Sequence, residues 1–155
     1  MNRRKGKQGY ILIAAAIAAI VVVGMLGLSV DAGHMFITKS EAQGFADSAA
    51  IAAALQLDGS TQGIQDAISA VQASVNRWNF STAPFTGTTI EFAQQGTGPW
   101  QTAPNPAAGF RFVRVTAASS VGLYFAPVLV RQASSVVRAR AAAAQVPKTT
   151  FREAL

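Results

Sequence analysis

The chain begins with a short polar stretch and then a long apolar run. From Gly9 to Val30 it carries 22 consecutive residues without a charged side chain. A helix needs about 20 apolar residues to cross the hydrocarbon core of a bilayer. The run therefore predicts a transmembrane helix, which leaves residues 1–8 on one side of the membrane and the rest of the chain on the other.

The charges that flank this run predict its orientation. Four basic residues precede it, Arg3, Arg4, Lys5 and Lys7, and the first residue after it is the anion Asp31. Because positively charged flanks stay in the cytoplasm, we expect a cytoplasmic N-terminus and an outward-facing C-terminal part. A cleaved secretory signal and a buried helix of a soluble protein are alternatives, since each can also place an apolar helix near the N-terminus.

The residues that follow predict that the helix continues outward to Leu57. Residues 31–57 are rich in Ala, Leu, Gln, Glu and Lys, which favour helices, and the first proline of the chain is Pro84. Asp58 and Gly59 then supply a natural stop. A helix of this length would extend well beyond the membrane, because some 27 residues follow the apolar run and each adds about 1.5 Å along the axis.

Two stripes are expected on the outer part of this helix. Lys39, Gln43 and Asp47 recur every four residues and form a polar stripe. Beside it lies a small-residue strip that consists of Ala42, Ala46, Ala49, Ala50 and Ala53. Small side chains let another backbone come close, so the strip packs either on a partner helix or another copy, or on the chain's own C-terminal domain.

We therefore take six residues as candidate interaction residues: Asp31, Lys39, Gln43, Ala46, Asp47 and Ala49. Asp31 is also open to a simpler interpretation, as a solvated anion at the water boundary that pairs with His34 one turn further on. Asp47 lies among alanines, where a buried anion needs a donor. Gln43 can supply one, and an arginine would be a stronger one.

Patterns after Asp58 predict a small α+β domain. One helix is expected to carry Ile64, Ile68, Val71, Val75 and Trp78 on one face, with Ser60 or Thr61 as its cap. Strands are expected at 88–93 and from 109 or 110 to 117, and a short helix after Ser119-Ser120 that runs through Val128. The segment 134–146 has the composition of a helix but the alternation of a strand.

Composition and charge exclude several classes of function. After Lys7 the chain has nine Lys or Arg against seven Asp or Glu, a net charge of only +2, so a nucleic-acid partner is not expected. The absence of cysteine and the single histidine remove thiolate nucleophiles, Cys-ligated zinc and His-rich metal sites. We expect no catalytic residues, no cofactor and no metal, and hence no enzyme.

The first 57 residues resemble the N-terminal module of tight-adherence (Tad/Flp) pilus-assembly proteins of the TadE/TadG type. The features that carry the resemblance are the basic start, the apolar helix, the Val-Asp-x-Gly step at residues 30–33, and Gln43 and Asp47 with three residues between them in an alanine-rich stretch. Residues 111–115 and 137–143 are similar more loosely, and the latter favours a strand there. The usual prepilin signal is absent, because Ala14 stands where a Glu would follow Gly9.

The resemblance implies a pilin-like α+β fold and a role in pilus assembly. The expected organisation is a basic cytoplasmic tail (1–8), a transmembrane helix (9–30), its extracytoplasmic continuation (31–57), a small α+β domain (58–146) and a C-terminal tail (147–155). We expect a single-pass protein of the bacterial inner membrane whose partners are the lipid bilayer, other pilus-assembly or secretion-system proteins and further copies of itself. The alternatives are an extracytoplasmic ligand-binding or adhesion module and an anchored hydrolase.

Overall fold

The fold is α+β, as the sequence predicts. The structure is a computed structural model that describes residues 6–79 and 82–145. Its elements, in chain order, are α1 (Gly6–Ala54), α2 (Thr61–Ala73), β1 (Thr89–Ala93), β2 (Phe112–Gly122), α3 (Ala126–Val130) and β3 (Ser134–Ala144). The predicted tail 147–155 and the first five residues lie outside the described residues.

Helix α1 is a continuous 49-residue helix. It ends at Ala54, three residues before the predicted end, because the chain tightens into a turn in which Leu57 N–H bonds the Ala54 carbonyl. In its most apolar window only 6% of the helix is buried. A core helix of a soluble protein would be mostly covered by its own chain, so the exposed apolar surface favours membrane anchoring over that alternative.

The described residues form two compact units. One comprises residues 6–37 and 121–135, and contains the apolar part of α1 together with the connection between β2 and β3. The other comprises residues 38–79, 82–120 and 136–145, and contains the outer part of α1, helix α2 and most of the sheet.

Helix α2 begins at the predicted cap. The Ser60 hydroxyl accepts a hydrogen bond from Gly63 N–H at 3.0 Å, which satisfies one of the donors that a helix start leaves open. Just before it, the Ser60 hydroxyl and the Ser60 N–H, the latter at 2.8 Å, hold the pKa of the Asp58 carboxyl below its usual range. The Asp58-Gly59 stop thus also prepares the next helix.

The expected end of α2 is wrong. The helix stops at Ala73 instead of reaching Trp78, and Val75 is 78% exposed. The reason is local competition from polar side chains: the Ser74 hydroxyl bonds the Ala70 carbonyl, and Asn76 exchanges two hydrogen bonds with the backbone of Phe85. These bonds redirect the chain into a turn, where Trp78 is buried but is not a helix residue.

The three strands form one sheet in the order β1-β2-β3. β1 pairs antiparallel with β2, with Phe92 opposite Val113 and Glu91 opposite Arg114. β2 keeps its alternation of buried and less buried residues as far as Val121. The helix predicted to start at Ser119-Ser120 is therefore wrong at its start, and α3 begins only at Ala126, with Pro127 in its first turn, where a missing N–H does no harm.

The segment that was ambiguous between helix and strand is strand β3. Val137, Ala139 and Ala141 are buried, whereas Arg138 and Arg140 are exposed. Pairing with β2 therefore overrides the helix propensity of the alanine-rich sequence. β3 lies at one edge of the sheet.

Candidate interaction surfaces on the long helix

The polar stripe of α1 contacts the edge of the sheet. The Lys39 ammonium donates a hydrogen bond to the carbonyl of Arg138. The Gln43 amide donates to the carbonyl of Arg140 at 3.3 Å. Sequence patterns could not reveal these two hydrogen bonds, because the first joins residues 99 positions apart and the second joins residues 97 positions apart.

These two bonds have a simple physical role. Arg138 and Arg140 are two residues apart on an edge strand, so their carbonyls point the same way. An edge strand presents open backbone groups that can pair with another chain. Side chains of α1 cover two of those carbonyls, and the polar stripe thereby protects part of β3.

Asp47, the third member of the stripe, is exposed. Its carboxylate accepts a hydrogen bond from the Gln43 amide at 2.8 Å. An arginine donor was expected for a buried Asp47, and the exposed carboxylate does not require one; Arg140 contributes its backbone carbonyl to Gln43. The pair Gln62 and Asp66 on α2 has the same spacing and the same 2.8 Å distance, which makes it a natural internal control.

The small-residue strip is buried by the chain itself. Ala46 and Ala49 are 0% exposed, as are Ala42 and Ala53. Beside the strip the ring of Phe45 stacks on that of Phe85 at 5.7 Å between centroids. The structure thus shows the internal packing that was one of the two alternatives, and a contact of Ala46 or Ala49 with a partner remains a prediction.

The opposite side of α1 carries the residues that stay uncovered. We call it the exposed face: Ser40, Gly44, Asp47 and Ile51, with Leu55 in the turn that follows. Ile51 is 59% and Leu55 69% exposed. A methyl group at Gly44 would meet no atom of the described residues within 4 Å. Glycine costs a helix roughly 0.5–1 kcal/mol relative to alanine, and no packing contact among the described residues requires it.

Asp31 is not the solvated anion that the sequence suggested. Asp31 is buried, with only 4% of its surface exposed. The carboxylate accepts three backbone N–H groups, from Tyr124 at 2.8 Å, Phe125 at 3.0 Å and Ala126 at 2.6 Å. Donors at the start of a helix lack intrahelical partners, and the carboxylate accepts from Ala126, the first residue of α3, and from the two residues before it. The carboxylate is therefore bound by backbone N–H groups of the same chain that lie more than 90 residues away in the sequence.

The neighbour proposed for Asp31, His34, lies beside an aromatic ring. The centroids of His34 and Tyr124 are 5.7 Å apart. Both residues thus join α1 to the β2–β3 connection, close to the Asp31 bonds. This contact and the carboxylate bonds belong to the same unit of the structure.

The arginines of the sheet differ in their contacts: one bonds neighbouring side chains and two are exposed. Arg114 donates two hydrogen bonds to one carboxylate oxygen of Glu91, at 3.0 and 2.8 Å, and its guanidinium lies 4.3 Å from the ring centroid of Trp100. Arg138 and Arg140 are exposed on one face of β3. Within residues 6–79 and 82–145 no group of three or more His, Asp or Glu side chains is arranged to hold a metal ion.

One protein-family model matches both the apolar part of α1 and its outer part. Residues 9–56 match the Tad family, described as "Putative Flp pilus-assembly TadE/G-like". No curated protein and no solved structure matches the chain significantly. The match covers the apolar helix, the polar stripe and the small-residue strip. The N-terminal region of this chain is therefore similar to the Tad family, which suggests a component of pilus assembly.

Proposed function

We propose that the protein is a membrane-anchored structural component of a Tad/Flp-type pilus or a related envelope secretion apparatus, and that it acts by protein–protein interaction. The observation that carries the proposal is the coincidence of the family match with one structural element. The match spans residues 9–56 and helix α1 spans Gly6–Ala54. The family relationship thus falls on the anchor and on its outward extension.

The proposed location is the bacterial inner membrane, with the N-terminus in the cytoplasm and the C-terminal part in the periplasm. Supporting this are the four basic residues before Gly9 and the acidic residue after Val30. Residues 9–30 form the span, and the small outer domain lies within residues 58–146.

The exposed face of α1 is the proposed contact surface for another pilus-assembly protein or a second copy. Three features support it. Ile51 and Leu55 are large apolar side chains left in contact with solvent, Gly44 allows close approach of a second helix, and all lie within or at the end of the matched region. Asp47 lies on this face and can contribute a charged contact. Ala46 and Ala49 lie on the buried side of the same helix and pack it against the rest of the chain, which holds the face in place.

Site-specific photocrosslinking in cells tests this surface. A photoreactive amino acid replaces Ile51 in one strain and Val75, which is also apolar and exposed, in another. We expect a crosslink from position 51 to a pilus-assembly protein or to a second copy, identified by mass spectrometry, and none from position 75. Equal crosslinking at both positions, or none at either, would contradict the assignment of this face.

A second candidate function, ligand binding or adhesion, is favoured by one observation, the exposed pair Arg138 and Arg140 on β3. Two guanidinium groups on one face can bind an acidic polymer. Heparin serves as the probe, with the double replacement of both arginines by Gln compared against Arg77→Gln, which removes an exposed arginine elsewhere. Loss of salt-sensitive binding in the double variant alone would support this function.

A further inference from the structure

The connection between β2 and β3 presents a run of exposed apolar side chains. Phe125 is 45%, Val128 83%, Leu129 58% and Val130 64% exposed. Contiguous apolar surface of this kind mostly marks an interaction with a protein or a membrane. The helix residues that this run contacts indicate which of the two it is.

The run packs on the apolar part of α1. A methyl group at Gly27 would lie 2.7 Å from Cγ of Phe125, which means that the ring rests directly on the helix backbone. Further along, Phe125, Val128 and Leu129 line a groove of about 460 Å³ together with Ala19, Ile20, Val23 and Gly24. All of these helix residues lie inside the predicted span.

Depth along the helix follows from its rise. Ile20 lies ten residues before Val30, or about 15 Å along the axis at 1.5 Å per residue. The hydrocarbon core is about 30 Å thick. Helix residues at this level are surrounded by acyl chains, and the side chains that pack against them share the same surroundings.

The backbone of the connection is prepared for such surroundings. Hydrocarbon offers no partner to a backbone N–H, so a segment can enter it only if its donors are satisfied within the protein. Leu123 N–H bonds the Ala133 carbonyl. The next three N–H groups bond Asp31, and Pro127 has none to satisfy.

Two of the donors that follow have partners within the same segment, and Leu129 and Val130 lie inside helix α3. Val128 N–H bonds the Phe125 carbonyl at 3.1 Å, and Arg131 N–H bonds the Pro127 carbonyl at 3.2 Å. Arg131 ends α3, and a side chain of its length can extend its charge toward water from an apolar site. The polar residues Gln132 and Ser134 come next, as expected where the chain leaves the apolar region.

We propose that residues 123–131 form a membrane-embedded hairpin, inserted beside α1 into the leaflet nearest Val30, with phospholipid acyl chains as its partner. The Asp31 carboxylate holds the hairpin by its backbone, and Gly27 makes room for its aromatic ring. The protein thus has two elements in the membrane, the spanning helix and a short second one. This proposal rests on the membrane anchoring of α1 but not on the pilus role.

Fluorescence quenching in proteoliposomes tests the proposal. The chain has no cysteine, so a single cysteine can be introduced at Val128 or Leu129 and labelled with an environment-sensitive dye. Leu12, 73% exposed on the apolar helix, gives the lipid control, and Thr97, exposed in a loop, gives the water control. The full-length chain is reconstituted into phosphatidylethanolamine–phosphatidylglycerol vesicles.

We expect the dye at positions 128 and 129 to be quenched by nitroxide on the acyl chains and shielded from iodide, as at position 12. Quenching by iodide, as at position 97, would overturn the proposal. Shielding from both quenchers would also overturn it, because a protein surface would then cover the hairpin. Retention of each labelled variant in the vesicles after an alkaline wash verifies the anchoring separately, and the pilus assays are independent of all these results.

Discussion

The ring of Phe125 lies against the backbone of Gly27, so closely that a Cβ at Gly27 would come within 2.7 Å of Phe125 Cγ and within 2.8 Å of Phe125 Cβ and Cδ1. Side-chain atoms do not approach one another so closely without displacement. Gly27 is therefore needed for packing, whereas Gly24, one turn earlier, would accept a methyl group without meeting any described atom within 4 Å. Two glycines of the same apolar helix thus have different roles.

Gly27→Ala should loosen the β2–β3 connection. The added methyl group forces the Phe125 ring outward, and overpacking of this kind typically costs about 1–3 kcal/mol. Hydrogen exchange of the peptide that covers residues 121–135, measured in micelles, should become faster. Gly24→Ala is the matched control and should leave the exchange unchanged. The same acceleration in both variants would mean that the contact with Phe125 does not hold the connection.

Asp31→Asn should release the start of α3. The change removes the charge that strengthens three backbone hydrogen bonds, and the amide keeps only one acceptor oxygen. We expect the amides of Tyr124, Phe125 and Ala126 to exchange roughly tenfold faster, since hydrogen bonds to charged groups are stronger than neutral ones. Asp66→Asn, which alters an exposed carboxylate on α2, should leave these amides unaffected. Unchanged exchange after Asp31→Asn would show that the carboxylate does not hold the hairpin.

Gln43→Ala should destabilise the outer domain more than Gln62→Ala. Both glutamines bond an aspartate four residues on, at 2.8 Å, a contact that contributes about 0.2–0.5 kcal/mol. Gln43 also bonds the Arg140 carbonyl, and one such bond adds about 0.5–1.5 kcal/mol. Chemical denaturation of the full chain in micelles, followed by Trp fluorescence, measures the difference. Equal losses would indicate that the bond to the strand edge contributes nothing.

Asp47→Asn should impair pilus assembly, and Asp66→Asn should not. Each substitution removes one negative charge from an exposed Gln-Asp pair of the same geometry. Only Asp47 lies within the matched region and on the exposed face of α1. Glu41 is a poorer control, because its carboxylate accepts the Asn79 N–H. Pili are counted at equal membrane abundance of the variants, and equal counts would remove Asp47 from the proposed surface.

Local signals were sufficient for much of the fold. Ser60 acts as the cap because its hydroxyl needs only the N–H three residues later. The pattern of 134–146 left helix and strand open, and the family resemblance favoured the strand that the structure shows. The end of α2 was missed because Ser74 and Asn76 redirect the chain through bonds whose geometry no periodicity records.

The role of Asp31 was missed for a different reason. Its three donors lie 93 to 95 residues away, and nothing near Asp31 in the chain indicates them. The polar stripe was found by its spacing, but its contact with the carbonyls of β3 depends on the edge of a sheet that forms from distant segments. Spacing along one helix therefore identified which residues share a face, while tertiary contacts determined what that face binds.

The most direct test of the central claim is to delete the gene for this chain in its host and to count surface pili by electron microscopy. If the protein is a membrane-anchored component of pilus assembly, the deletion strain should lose its pili, and expression of the full chain should restore them. Expression of the chain without residues 9–30 should not, because the matched module would lack its anchor. A deletion strain with a normal number of pili would contradict the account.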